Sequence, residues 1–492
     1  MKQYLKLISL LIAIVMLVAS FASCTTKKTD EDVTTQASAE GSQVVEEETE
    51  YKPSIEQKNY NEEFYLWIMG DVNPIECYWV AESTNDVLSE AVYNRQENVR
   101  KYLGVEIFGS DTDSEDRYVQ PFKTAVQNKD GSVDMLISHV YYGIDGFITG
   151  NYLTDFNDIP EINLDADYWK LDVMEEIGIN DRLYLGFSEF NILYTHVITY
   201  NKDLLAKYDD MLDESIYSMV DNYHWTLDKM TWLASLAYVD ASGDGQKTAD
   251  DQYGIVGYHS VPFIGFVQAS NIQIIDTDEQ GNYVLSCYNE ANKSKMSSLC
   301  DKIKELAMSE YSYFTTGNND YSYPGMTSGQ ALMEVSGTPW LKNYLSSGVD
   351  FGILPFPMYD EAQKDVGYRS LQWGGYLCVP SYMGEGNRPQ MIGETIEMMT
   401  YYSDAVATAY YEKLLGKQVA ESPDDRRMLQ VVWDSVCSDM GQTYFSVVYD
   451  TDVLYILPRT TKANSTKALA SFVAEVETKI KKNFKTFVKK TQ

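Results

Sequence analysis

Runs of apolar residues alternate along the chain with stretches in which apolar residues recur every three or four positions. Phe64-Tyr65-Leu66-Trp67-Ile68-Met69 reads as a strand ending at Gly70. Val87, Leu88, Ala91, Val92, Val99, Tyr102 and Leu103 share one face at helical spacing, and Gly104 stands where a C-cap belongs. Val105-Glu106-Ile107-Phe108 is the next strand, and the short apolar run from Val133 to Ile137 follows another helix-like stretch. This order of strands and helices predicts an α/β fold with a mostly parallel sheet. Farther along, Thr226 is suited to cap a helix, with Trp225 and Met230 placed as a hydrophobic staple. Pro389 stands near the first position of another helix, and an amphipathic helix is expected from about Ser465 to the end.

The first sixty residues follow a different pattern. Lys2 and Lys6 precede an apolar run, Leu7 to Phe21, that is too short to span a bilayer comfortably. Ala22-Ser23-Cys24 then resembles the lipobox of a lipoprotein signal, which implies removal of residues 1–23 and acylation of Cys24. An ordinary cleaved signal with a chance cysteine is the alternative. The segment 24–60 is polar, with the acidic run Glu46-Glu47-Glu48-Thr49-Glu50. It buries too little apolar surface to order itself and is expected to be a disordered tether.

Composition narrows the function. Asp and Glu number 73 against 39 Lys and Arg, a net charge of -34, which repels nucleic acid and anionic lipid headgroups. Four histidines leave little for a histidine-rich metal site, and no catalytic cofactor is expected. No G-x-S-x-G elbow, H-E-x-x-H or P-loop occurs. The five cysteines after Cys24 are scattered, as small buried hydrophobes would be. The 39 tyrosines are mostly surface and strand residues in one reading and faces for sugar rings in another.

Several segments, in order, resemble the extracellular solute-binding proteins of ABC sugar importers, the family that includes maltose-binding protein. They are Glu90 to Val99, Val133-Asp134-Met135-Leu136, Leu153-Thr154-Asp155-Phe156, and Ile198-Thr199-Tyr200-Asn201-Lys202-Asp203-Leu204-Leu205, the best match. Ser328 to Met333 and Phe351 to Pro357 complete the set. The resemblance implies a two-lobed, type II periplasmic-binding-protein-like α/β fold with a ligand cleft between lobes joined by hinge strands. Lobe 1 is expected to take residues 61–188 and 330–384, and lobe 2 residues 189–329 and 385–492. The chain would pass between them near Gly186 to Tyr194, near Gly329, and near Pro380 to Arg388. It also implies a monomer, lipid-anchored on the outer face of the cell membrane, that captures a carbohydrate and delivers it to ABC permease subunits. A sensory binding protein and a secreted glycosidase, the latter needing a suitably spaced carboxylate pair, are the other readings.

A sugar needs aromatic faces and hydroxyl partners on loops at strand ends. Trp79, Glu82, Tyr141, Tyr142, Glu189, Trp340 and Trp373 are the candidates, with core packing as the competing role for each. A separate pattern runs from Asp240 to Asp251. Asp240, Ser242, Asp244, Thr248 and Asp251 fall at the oxygen-ligand positions of a calcium loop, Gln246 would offer its carbonyl, and Gly245 stands at the sharp turn. Asp at the twelfth position, Lys247 at the eighth, and a strand in place of the exiting helix depart from that pattern. A structural calcium and a solvated acidic turn are both open at this point.

Overall fold

Two separate sheets order the chain. The computed structural model describes residues 53–491 apart from 70–73, 113–117, 141, 192–193, 258–260, 279, 316–324, 339–340, 342–343, 345–346, 373, 412–421, 445–446 and 448–480. The signal segment, Cys24, the tether up to residue 52, Tyr141, Trp340, Trp373 and the start of the expected C-terminal helix lie outside the described residues.

The first sheet holds β1 (Glu62–Met69), β2 (Val105–Thr112), β3 (Met135–His139) and, much later in sequence, β12 (Gly374–Cys378), in the order β12-β3-β1-β2. β1 runs parallel to β2 and β3, whereas β12 is antiparallel to β3. Helix α1 (Val87–Leu103) connects β1 to β2. Asp86 caps its start by accepting from Leu88 N, and Gly104 ends it at φ +65°, a conformation that costs glycine nothing.

The second sheet has the order β10-β4-β9-β5-β8, built from β4 (His196–Asn201), β5 (Tyr253–Gly257), β8 (Ser312–Phe314), β9 (Ala331–Gly337) and β10 (Phe351–Leu354). Every residue of β4, β5, β9 and β10 is buried, which is why these segments read as apolar runs rather than alternating ones. A hairpin, β6 (Ile275–Thr277) with β7 (Tyr283–Leu285), and a short pair, β11 (Ser370–Leu371) with β13 (Val436–Cys437), complete the strands. Helix α2 (Leu227–Leu236) starts at Thr226, whose hydroxyl accepts from Lys229 N, and packs on β5. Trp225 is wholly buried and its indole donates to Pro355 O at 3.0 Å.

Strand pairing corrects the expected division into lobes. β9 and β10 lie in the second sheet, so of residues 330–384 it is β12 that joins the first. Helix α3 (Arg388–Tyr401) docks on α1, and its Arg388 guanidinium reaches Asp134 in front of β3, so this part of 385–492 belongs with the first sheet. Helix α4 (Pro423–Asp434) packs on β10. A family-like motif fixes where a strand begins but not which strand lies beside it.

The passage between sheets is short. Gly186 bridges to Leu377 of β12, Thr195 bridges to Gln372, and β4 starts one residue later. The second passage, from β11 to β12, runs antiparallel beside the first. Asn191 ties the two by donating to Gly375 O, and Gly375 has φ +79° within an irregularity of the β12 pairing. Cys77, Cys287, Cys300, Cys378 and Cys437 are buried. Among the described residues, no helix is long and apolar enough to cross a membrane.

Candidate functional site

The last residue of β3, His139, pairs with Gly374, while His196 at the start of β4 pairs with Gly337 at the end of β9. Between them lies the crossing strip. Thr195 N donates to Thr338 Oγ1 (3.2 Å), Thr195 Oγ1 to Leu371 O (2.7 Å), and Tyr194 N to Gln372 Oε1 (3.3 Å). The carboxyl ends of strands from both sheets thus meet at one strip, the place where open α/β sheets offer a crevice to ligands.

An aromatic cluster lines this strip. The His139 ring lies 5.8 Å from Tyr142 on the loop after β3, and 5.8 Å from Tyr194 in the first passage, edge-on to the latter. Both tyrosines are partly exposed and His139 is buried. Gly374 permits this packing, because a Cβ there would stand 2.3 Å from His139 Cδ2. On the second-sheet side, the His196 ring lies 5.9 Å from Phe356, and Phe356 lies 4.8 Å from Phe266. Burial pushes the imidazole of His139 down to about 3 and that of His196 to about 4, so both are neutral at physiological pH. The partly exposed rings and hydroxyls of Tyr142 and Tyr194, packed on a neutral buried imidazole, suit an uncharged polyhydroxy ligand better than an ion.

The residues singled out from sequence divide. Tyr142 is in the cluster. Trp79 is not: its indole donates to Ile107 O at 2.8 Å, and its ring leaves no room for a side chain at Gly109. It covers the outer edge of β2, where an unpaired carbonyl row would otherwise invite a foreign strand. Glu82 is exposed on the loop before α1.

Glu189 sits in the first passage near Asp404, Asp167 and Lys170. Burial, reinforced by Asp404 and Asp167 and opposed by Lys170, pushes its carboxyl up to about 7. A carboxyl raised on folding contributes stability at low pH that is lost as pH rises through about 7. Glu189→Gln is therefore expected to melt higher than the parent at pH 8, with the gap narrowing at pH 5 and closing below about pH 4. A melting-temperature gap that does not change between pH 8 and pH 4 would contradict the assignment.

His139, Tyr194 and His196 were not among the sequence candidates. Their signal was position alone: each lies at, or within two residues of, the crevice-facing end of a buried strand.

In the 240–251 loop, Asp240 accepts from Gly243 N (2.7 Å) and Gly245 N (2.8 Å), and Asp244 from Gln246 N (2.8 Å). Buried Asp251 accepts from Ala241 N (2.9 Å) and Thr248 N (2.8 Å). Lys247 turns away to the carbonyls of Ser309 and Ser312. The carboxylates are engaged by the loop's own amides. Among the described residues, no three His, Cys, Asp or Glu side chains are grouped so as to hold an ion.

A cavity of about 710 Å³ lies elsewhere, between the 156–183 segment and the β6–β7 hairpin. Asp165, Glu175, Glu176, Asp181 and Asp276 line it, with no Lys or Arg and none of the aromatic residues of the crossing strip. The strip, where strand ends of both sheets converge, is the better-founded site.

No protein-family model matches the chain, and no curated protein does. Solved structures do. The GacH receptor of Streptomyces glaucescens, described unliganded and with acarbose, is 15% identical, with 87% of this chain and 98% of that one covered, at a TM-score of 0.52. A maltotriose-binding protein of Thermus thermophilus, bound with maltotriose, is 15% identical over 86% of this chain and 100% of its own, at 0.51. An ABC substrate-binding protein of Listeria monocytogenes in complex with cycloalternan is 11% identical over 86% and 99%, at 0.52. At such identities the likeness is one of fold, and the chain has the two-lobed α/β architecture of these maltose-binding-protein-like substrate-binding proteins.

Proposed function

We propose that this chain is the substrate-binding lipoprotein of an ABC importer, and that it captures a carbohydrate, an oligosaccharide in our reading, at the crossing strip. The observation that carries the proposal is the Tyr142–His139–Tyr194 cluster, set where both sheets end and beside the two passages that would act as hinge. A ligand that touches both sheets stabilises the closed arrangement by contacts the open one lacks. The neighbours in fold are binding proteins, which supports capture over catalysis. A thermal-shift screen of the mature chain against mono- and oligosaccharides, peptides and polyamines tests the reading, because a ligand that binds only the native state raises the melting temperature. Stabilisation by peptides or polyamines but by no sugar would overturn it.

Anchoring is part of the proposal. The apolar run ending in Ala22-Ser23-Cys24 supports acylation of Cys24 and a position on the outer face of the membrane. Cys24→Ala is expected to move the protein from the membrane fraction to the medium, and unaltered membrane association would contradict this.

For the 240–251 loop, calcium remains a proposal: the amide bonds to Asp240, Asp244 and Asp251 orient the carboxylates and leave lone pairs for an ion. If calcium binds in this way, a chelator lowers the melting temperature and added calcium restores it, with Asp244→Ala abolishing the response. A melt indifferent to both leaves an acidic turn held by its own backbone.

A further inference from the structure

Arg95 carries a positive charge into the core of the first lobe. Its side chain, on α1, is buried, and among the described residues no carboxylate pairs with it. Burial pulls the guanidinium down to about 9, which leaves it charged at physiological pH. Its N–H groups hold two segments that are far apart in sequence. Nη2 donates to Cys77 O (3.2 Å) and Tyr78 O (2.7 Å), at the end of the short turn Ile75–Cys77 that follows β1. Nη1 donates to Ser403 Oγ (3.1 Å), just beyond α3.

The flat face of the guanidinium lies on a third segment. It stands 4.3 Å from the ring centre of Phe190, in the first passage between the sheets, and Tyr78 packs on the same ring at 5.5 Å. Phe190 belongs to a tight turn. Asn191 N donates to Ser188 O (3.0 Å), Ser188 N to Asn191 Oδ1 (2.9 Å) and Phe190 N to Ser188 Oγ (3.3 Å). Whatever fixes the Phe190 ring therefore also fixes Asn191, whose amide ties the first passage to the second at Gly375. Tyr194 follows shortly after in the same passage.

Two carbonyls and a hydroxyl do not call for a charge. A neutral side-chain amide could donate to two of them at a smaller desolvation cost. What an amide lacks is a flat cation for an aromatic face, an attraction that strengthens where water is excluded. We propose that Arg95 is a positioning residue of the crevice: by seating Phe190 against the first lobe it sets the place of the first passage, and with it the Tyr194 ring. Buried as it is, Arg95 touches no ligand, and its role rests on the carbohydrate reading of the crossing strip.

A double-mutant cycle in the mature chain tests this, with the most stabilising oligosaccharide of the thermal screen as the probe. Arg95→Lys and Phe190→Leu are each expected to weaken its binding by about 5- to 30-fold. The double variant is expected to lose no more than the weaker-binding single variant, because either change alone already empties the seat. Losses that multiply in the double variant would show Arg95 acting independently of Phe190 and would overturn the proposal, and so would single variants that bind like the parent. A second readout needs no sugar. With 3-fluorotyrosine at position 194, the fluorine resonance of the unliganded protein is expected to shift or broaden in both single variants while each still melts cooperatively. Phe190→Leu leaves the bonds of Arg95 to Cys77, Tyr78 and Ser403 in place, so it carries the test should Arg95→Lys fail to fold. An unmoved resonance in Phe190→Leu would overturn the positioning role. A resonance that moves in a protein no sugar binds would support that role and contradict the carbohydrate reading alone.

Discussion

Arg388→Met is expected to lower the stability of the chain by about 3–5 kcal/mol at pH 8, the cost of leaving a buried charge without its partner. Asp134 is only 2% exposed, and both of its oxygens lie within 3.0 Å of the Arg388 guanidinium. Its remaining bond, from Tyr65 N at 2.8 Å, cannot offset the lost cation. Burial already pushes the Asp134 carboxyl up to about 6 despite Arg388 and the Tyr65 amide. A carboxyl raised on folding contributes stability that is complete below its ordinary range near 4 and is lost as pH rises through the folded value. Removing Arg388 moves that folded value higher still, so the deficit of the variant should shrink toward pH 5, where Asp134 can fold protonated. Urea unfolding at the two pH values checks this. A deficit that is small, or that is the same at pH 5 and pH 8, would contradict the account.

Tyr194→Ala is expected to weaken sugar binding by about 10- to 100-fold, the ~1–3 kcal/mol attributed to a stacking aromatic at the centre of a site. Tyr194 is partly exposed, and its ring packs edge-on against His139 rather than deep in a core. The melting temperature of the unliganded variant should therefore move little. Tyr194→Phe keeps the ring and should keep most of the affinity. Calorimetry on the two variants separates a ring face from a hydroxyl. Affinity unchanged in Tyr194→Ala would remove the aromatic cluster from the site.

Local structure was legible in the sequence where a single residue type settles it. Gly104 ends α1 in the left-handed region, Thr226 caps α2, and the apolar runs at 196–201 and 331–337 are buried strands. What depends on partners distant in sequence was not legible. Trp79 looked like a loop aromatic free to meet a ligand, but its indole is engaged by Ile107 O and its ring by Gly109, some thirty residues on. Residues 53–60 read as the end of a tether because their composition is polar. Their bonds go to backbone carbonyls of α1 and to Glu394, more than three hundred residues away. The division into lobes missed for the same reason, since β9 and β10 carry no mark of pairing with β4 rather than with β3. In the aromatic cluster, Tyr142 was legible as an aromatic after a strand, whereas Tyr194 and His139 come together only once β12 brings Gly374 beside β3.

In the proposed function, a carbohydrate draws the two lobes together at the crossing strip. Small-angle scattering of the mature chain, recorded while it is titrated with each oligosaccharide of the thermal screen, tests this most directly. At least one sugar is expected to saturate the protein and lower its radius of gyration along the same binding curve, and Tyr194→Ala is expected to shift that curve to higher concentration. A radius of gyration that stays constant through saturation, or a panel in which no sugar binds, would contradict it.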